Sequence, residues 1–211
     1  MFICTSLGLI FIHIYKTGGS SVTQALQSHV GHVERRLHRL GRCRKGLVSR
    51  RAYHNLSQHC MAREIRDRLP DQLFARCFKF AFVRNPWSLQ LSLFRYVQRT
   101  PGHPQYTDFA ALPCFESYIE WLDTLPNGPH RVQCDFVLDE SGKPLLDFIG
   151  RFERLGPDFA SVANRFGWKG PLPHLNASHD DPEFRKFYTR RTRDIVGRLH
   201  RADIEAFGYD F

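Results

Sequence analysis

The sequence contains no apolar run of about 18 residues, the minimum for a helix that crosses a bilayer, so no transmembrane helix is indicated. No basic stretch precedes its first apolar run, which argues for a first β-strand rather than a signal peptide. Its 6 cysteines (Cys4, Cys43, Cys60, Cys77, Cys114 and Cys134) include no C-x-x-C pair, which leaves a zinc ribbon or a dithiol redox centre without support. They read as reduced, mostly buried thiols and point to the cytoplasm. The 11 histidines form no His-Glu-x-x-His motif, so no metal site is expected. Internal repeats and low-complexity tracts are absent as well.

Acidic residues are in the minority, 21 against 30 Lys and Arg, and the net charge is +9. That balance favours an anionic partner: nucleic acid, a membrane surface, or a phosphorylated or sulfated small molecule. Part of the excess is local, in Arg35, Arg36, Arg39, Arg42, Arg44, Lys45, Arg50 and Arg51. This segment is expected to be a loop or broken helix, either simply solvated or used to bind an acidic acceptor. At 211 residues the chain fits one α/β domain spanning 1–211, and an apolar content of 42% with 18 Phe is enough for a filled core.

What is present centres on one stretch. Leu7 to Ile14 is almost continuously apolar, the pattern of a strand buried on both faces. It runs into Tyr15-Lys16-Thr17-Gly18-Gly19-Ser20-Ser21. The glycines permit a sharp turn, and Ser20 or Ser21 is suited to cap a helix from about Val22 to Val30. A strand, a glycine turn and a helix N-terminus together present N–H groups and a positive dipole end to an anion. Lys16 adds a full charge, and Thr17, Ser20 and Ser21 add hydroxyls. The order is not that of a Walker A loop, in which Lys follows the glycines.

Further along, Met61, Ile65 and Leu69 recur at helical spacing until Pro70. Phe78 to Val83 is a second buried strand, and Pro86 then opens a helix carrying Leu89, Leu93 and Val97. Residues 102–113 read as a loop, 114–125 as a helix, 132–138 and 148–152 as strands, 158–166 as a helix, and 182–199 as one long Arg-rich helix. An apolar tail, 204–211, is expected to dock. Alternating strands and helices argue for an α/β fold with a central, mainly parallel sheet flanked by helices.

A second anion site follows from Arg84. It ends the second strand, where open α/β sheets place ligands, and Ser92 lies two helical turns beyond. A guanidinium fork plus a hydroxyl suits a phosphate. Nucleotide kinases and NTPases would hold Mg²⁺ with an Asp at such a strand end; here that position is cationic. The residues therefore imply an anion with two separate phosphate groups, bound without metal.

The segments Phe11-Ile12-His13-Ile14-Tyr15-Lys16-Thr17-Gly18-Gly19-Ser20-Ser21 and Phe80-Ala81-Phe82-Val83-Arg84-Asn85-Pro86-Trp87, with Ser92, resemble the two signatures of the PAPS-dependent sulfotransferases. The likeness is strongest to the carbohydrate-type members, the heparan sulfate 2-O-sulfotransferase-like enzymes and bacterial relatives. Residues 150–155, 172–178 and 188–211 resemble that family less specifically. The resemblance implies a P-loop-like three-layer α/β domain. It implies that Lys16, Thr17, Gly18, Gly19, Ser20 and Ser21 bind the 5′-phosphosulfate of PAPS (3′-phosphoadenosine 5′-phosphosulfate), and that Arg84 and Ser92 bind its 3′-phosphate. Asn176 and Ser178, with His174, correspond to a loop that closes on the donor in similar proteins. Where the family usually has Pro, this chain has Tyr15. The Golgi lumen, for a domain lacking its membrane stem, is the alternative compartment.

The implied reaction moves a sulfuryl group in line from PAPS to a hydroxyl, on a saccharide acceptor, and releases PAP. Negative charge develops on the bridging oxygen, where Lys16 and the loop N–H groups would act. A general base is required. His59 is the first candidate, since 59–64 resembles the family segment carrying the base; His54 and Glu153 are the others. His13 reads as core, and Gln133 as a lining residue of the acceptor pocket. Two other readings stand beside this one: a P-loop nucleotide kinase, and a basic polyanion-binding module without catalysis.

Overall fold

The computed structural model describes residues 1–5, 7–39, 57–125, 131–170, 172–173 and 183–211. His54, His174, Asn176, Ser178 and the basic positions from Arg42 to Arg51 lie outside the described residues. The chain divides into two compact units, Met1–Val83 with Asp135–Asn176 and Arg84–Cys134 with Ala177–Phe211.

The first unit is built on four strands: β1 (Phe2–Cys4), β2 (Leu9–Ile12), β3 (Phe78–Val83) and β4 (Phe148–Arg151). They lie in sequence order; β1 is antiparallel to β2, while β2, β3 and β4 are parallel. The fold is thus α/β with a mixed, mostly parallel sheet flanked by helices. Helix α1 (Gly19–Arg39) follows β2, the short helices α2 (Ala62–Arg66) and α3 (Asp71–Arg76) precede β3, and α8 (Leu155–Arg165) follows β4 through a single 3-10 turn. Leu9, Phe11, Phe80 and Phe82 face Val22, Ala25 and Leu26 of α1 and Phe159, Val162 and Ala163 of α8 in one core. The alternate residues Ile10, Ile12, Ala81 and Val83 are buried as well. Burial of both strand faces is why β2 and β3 read as unbroken apolar runs. Lys79, although buried, donates to the Cys77 carbonyl at 2.7 Å and pairs with Asp147 at 2.9 Å. Asp147 also accepts from the Lys79 amide, at 2.7 Å, just ahead of β4.

The second unit is helical. Helices α4 (Pro86–Gln98), α5 (Tyr106–Ala110), α6 (Phe115–Thr124), α9 (Arg190–Leu199) and α10 (Arg201–Phe207) belong to it. Trp87, Phe94 and Val97 of α4, Tyr118 and Ile119 of α6, and Ile195 and Val196 of α9 form its core. Pro86 starts α4 because Asn85 accepts from the Trp87 and Ser88 amides, at 3.0 and 3.3 Å. No helix among the described residues is long and apolar enough to cross a membrane.

Several local expectations are corrected. α1 continues to Arg39, nine residues beyond Val30, and it starts at Gly19, so Ser20 and Ser21 lie inside its first turn. Residues 106–110 are a short helix within the expected loop. The expected strand at 132–138 is helix α7 (Gln133–Val137). Its buried residues are Gln133, Cys134, Phe136 and Val137, a helical spacing, and the Asp203 carboxylate accepts from the amides of Gln133 and Cys134 at 3.0 and 2.8 Å. The long helix expected from 182 is interrupted. A 3-10 turn at Phe184–Phe187 precedes α9, and Thr189 and Thr192 form a reciprocal capping box at the new start.

Candidate active site

The loop after β2 is held in a conformation that its residues dictate. Lys16 has φ 59°, the left-handed region that a residue with a side chain enters only at a cost. The Thr17 hydroxyl donates to the Ile14 carbonyl at 2.9 Å and is fully buried, so its proton closes the loop. Gly18 has φ 78°, and a Cβ there would fall 2.5 Å from Leu155 Cδ2. A Cβ on Gly19 would fall 2.0 Å from the His13 ring. Both glycines are therefore required, by backbone conformation at the first and by close approach at both.

The first hydrogen bond of α1 runs from the Val22 amide to the Gly18 carbonyl, 3.2 Å. No earlier turn supplies a carbonyl for the amides of Gly19 and Ser20, which are N-terminal donors of a 21-residue helix. Lys16 is half-buried and Ser20 exposed at this end, while Ser21 is buried. The arrangement offers donors and positive charge, the chemistry of an anion site.

His59 joins the loop. Its Nδ1 donates to the His13 carbonyl at 2.8 Å, which leaves Nε2 with the lone pair a base needs. Burial lowers its pKa below the ordinary histidine value, and the bond to His13, which favours the charged ring, offsets part of that. His59 is thus neutral at pH 7. The His13 ring lies edge-on to it, with centroids 4.8 Å apart, and its Nδ1 accepts from the Gln58 amide at 3.2 Å. Burial pushes His13 down to about 3. His13 is core, as expected, yet its ring backs Gly19 and its carbonyl orients His59, neither of which a strand pattern reveals. Tyr15 places its ring edge-on to His59 at 6.3 Å and to Phe136 at 5.9 Å. Glu153 lies exposed in the 3-10 turn before α8.

Because β2 and β3 are parallel, they finish at the same end of the first unit's sheet; Arg84 is the residue that follows β3 in the chain and begins the second unit. Arg84 is 3% exposed, and its Nε and Nη2 donate to the Ser88 hydroxyl at 3.0 and 2.8 Å. Ser92 is half-buried one turn beyond Ser88 on α4. Gln133 does not line an acceptor pocket. It is 1% exposed, and its side chain spends one group on the Arg84 amide (2.7 Å) and the other on the Arg84 carbonyl (2.8 Å). Ser88 is a polar partner that sequence reasoning missed, although its spacing of four from both Arg84 and Ser92 was a signal for it.

Comparisons with known proteins add little to this geometry. An uncharacterized protein of Archaeoglobus fulgidus is 29% identical over 120 residues, covering 56% of this chain and 91% of its own. No family model matches the chain. No solved structure matches it either.

Proposed function

We propose that the protein is a PAPS-dependent sulfotransferase acting on a hydroxyl, that of a saccharide. The observation that carries this reading is the loop from Tyr15 to Ser21, a cationic strand-to-helix turn whose two glycines cannot be replaced without collision. On this reading the fold is P-loop-like, Lys16 to Ser21 take the 5′-phosphosulfate, and Arg84 with Ser92 take the 3′-phosphate. Asn176 and Ser178 complete the donor site by resemblance. Five free thiols among the described residues fit a reducing compartment, the cytoplasm.

The reaction is an in-line transfer. Nε2 of His59 takes the acceptor hydroxyl proton as the new O–S bond forms. The S–O bond to the 5′-phosphate breaks, and PAP departs with the electron pair. Lys16 and the N-terminal amides of α1 stabilise the charge that builds on the bridging oxygen. The neutral state of His59 supports its role as base.

The test is thermal denaturation with PAP, followed by transfer from labelled PAPS to a panel of glycans. PAP is expected to raise Tm, and label is expected to appear on a glycan. Stabilisation by ATP–Mg²⁺ and none by millimolar PAP would overturn the reading in favour of a nucleotide kinase. Salt-dependent binding of polyanions, unaffected by Lys16→Ala and Arg84→Ala, would support the non-catalytic alternative.

A further inference from the structure

Arg84 is the inner end of a buried polar chain that the proposed chemistry does not use. Having run past the end of β3, Arg84 takes backbone partners from a side chain instead of a strand. The Gln133 amide closes on it at two points, accepting from its N–H at 2.7 Å and donating to its carbonyl at 2.8 Å. Gln133 is held in turn by Asp203, whose carboxylate accepts from the Gln133 amide at 3.0 Å and the Cys134 amide at 2.8 Å. Asp203 also accepts from Nδ1 of His200 at 3.2 Å. His200 Nε2 meets the Gln90 side-chain nitrogen at 2.7 Å, and the Gln90 oxygen accepts from the Tyr118 hydroxyl at 2.5 Å.

Every member is inside the protein: Gln133 1%, Asp203 0%, His200 1%, Gln90 1% and Tyr118 0% exposed. Each link is satisfied when His200 donates from Nδ1 to Asp203 and its Nε2 accepts from Gln90. A fully satisfied chain of this kind is rigid, because moving any member strands a buried donor or acceptor. Its rigidity ends at two points on the Arg84 main chain. The Arg84 guanidinium is fixed separately, by two bonds to one Ser88 oxygen. Backbone and head group are thus both determined before any ligand arrives, the condition under which a guanidinium binds an anion without ordering itself first.

We propose that Gln133, anchored by Asp203 and His200, is a positioning residue that fixes the Arg84 main chain and, together with Ser88, aims its guanidinium at the 3′-phosphate of the donor. This rests on the reading of Arg84 as a phosphate ligand. The substitutions that isolate it are Gln133→Met, which keeps side-chain length and removes both bonds to Arg84, and Ser88→Ala, which removes the hydroxyl from the first turn of α4, a position that alanine also suits.

The experiment compares, by calorimetry on the full chain, the Kd of PAP with that of AMP, which lacks the 3′-phosphate. The wild-type protein is expected to prefer PAP by about 10²-fold, and Gln133→Met to lose about 10-fold of that preference, the scale of one charge-assisted contact. The loss should fall on PAP alone, with AMP within about two-fold of wild type. In turnover, KM for PAPS should rise about 10-fold with kcat within about three-fold. Ser88→Ala should lower the same preference by a smaller factor. A PAP preference unchanged in both variants overturns the proposal, as does an equal loss for PAP and AMP or a fall in kcat alone. Should Gln133→Met not fold, Ser88→Ala decides by the same criterion. A wild-type protein without any preference for PAP overturns the phosphate reading of Arg84 itself, a result distinct from an intact preference that the variants leave untouched.

Discussion

The carbonyl oxygen of His13 accepts a hydrogen bond from Nδ1 of His59 at 2.8 Å, across 46 positions of sequence. The same His13 rests its ring against Gly19, where no Cβ fits. One residue just past β2 therefore sets both the tautomer of the candidate base and the entry of the Lys16 loop into α1.

Removing the candidate base should separate chemistry from binding. His59→Ala is expected to lower transfer about 10²-fold or more while PAP affinity stays within about two-fold. Rates with labelled PAPS, set beside calorimetric PAP affinities, check this. Full activity in the variant would transfer the role to His54 or Glu153.

Lys16 carries opposing demands, since its charge is useful and its backbone is strained at φ 59°. Lys16→Ala and Lys16→Gly should both lower kcat about 10²-fold, the scale of a lost contact to developing charge. Lys16→Gly should nevertheless be more stable than Lys16→Ala by about 1 kcal/mol, because glycine tolerates the left-handed region. Urea denaturation of the two variants measures the difference.

The loop glycines should be intolerant for a steric reason. Gly19→Ala places a methyl 2.0 Å from the His13 ring, and Gly18→Ala places one 2.5 Å from Leu155. Each is expected to cost about 1–3 kcal/mol in chemical denaturation. Gly102→Ala, where nothing lies within 4 Å, should stay within about 0.5 kcal/mol of wild type and serves as the control.

Acid should destabilise the protein well above the carboxylate range. His13 has its pKa lowered from 6.5 to about 3 by burial. Below pH 6.5 the unfolded chain takes up a proton there that the folded chain refuses, so stability falls as pH drops from 6.5 toward 3. The slope approaches about 1.4 kcal/mol per pH unit for one such group. His59, also lowered, adds in the same sense. Asp203 is raised by burial but lowered more by its bonds from His200, Gln133 and Cys134, so its contribution is lost only below its ordinary 3.8. His13→Phe should flatten the dependence between pH 4 and 6 in urea unfolding followed across pH.

Local chemistry made much of this legible. β2 and β3 are visible because strands buried on both faces must be apolar throughout, and Pro86 marks α4 because its fixed φ suits a first helical turn. Lys16, the glycine pair and Arg84 are visible because charge and glycine at strand ends are unusual. α7 was not legible: Val132, Cys134, Phe136 and Leu138 alternate like a strand, and a carboxylate 70 positions away partners the helix start. The break before α9 was signalled by Thr189 and Thr192 but masked by an Arg-rich helical composition.

The sequence by itself determined the two apolar strands and the cationic and glycine residues that follow them, because those follow from residue type and periodicity. Tertiary structure alone decided how they are held. His13 turns His59 into the Nδ1-protonated form, and Asp203 fixes Gln133 against Arg84. Both rest on hydrogen bonds between residues far apart in the chain. Such bonds leave no local pattern, since their donors and acceptors meet only after the apolar core has brought their elements together.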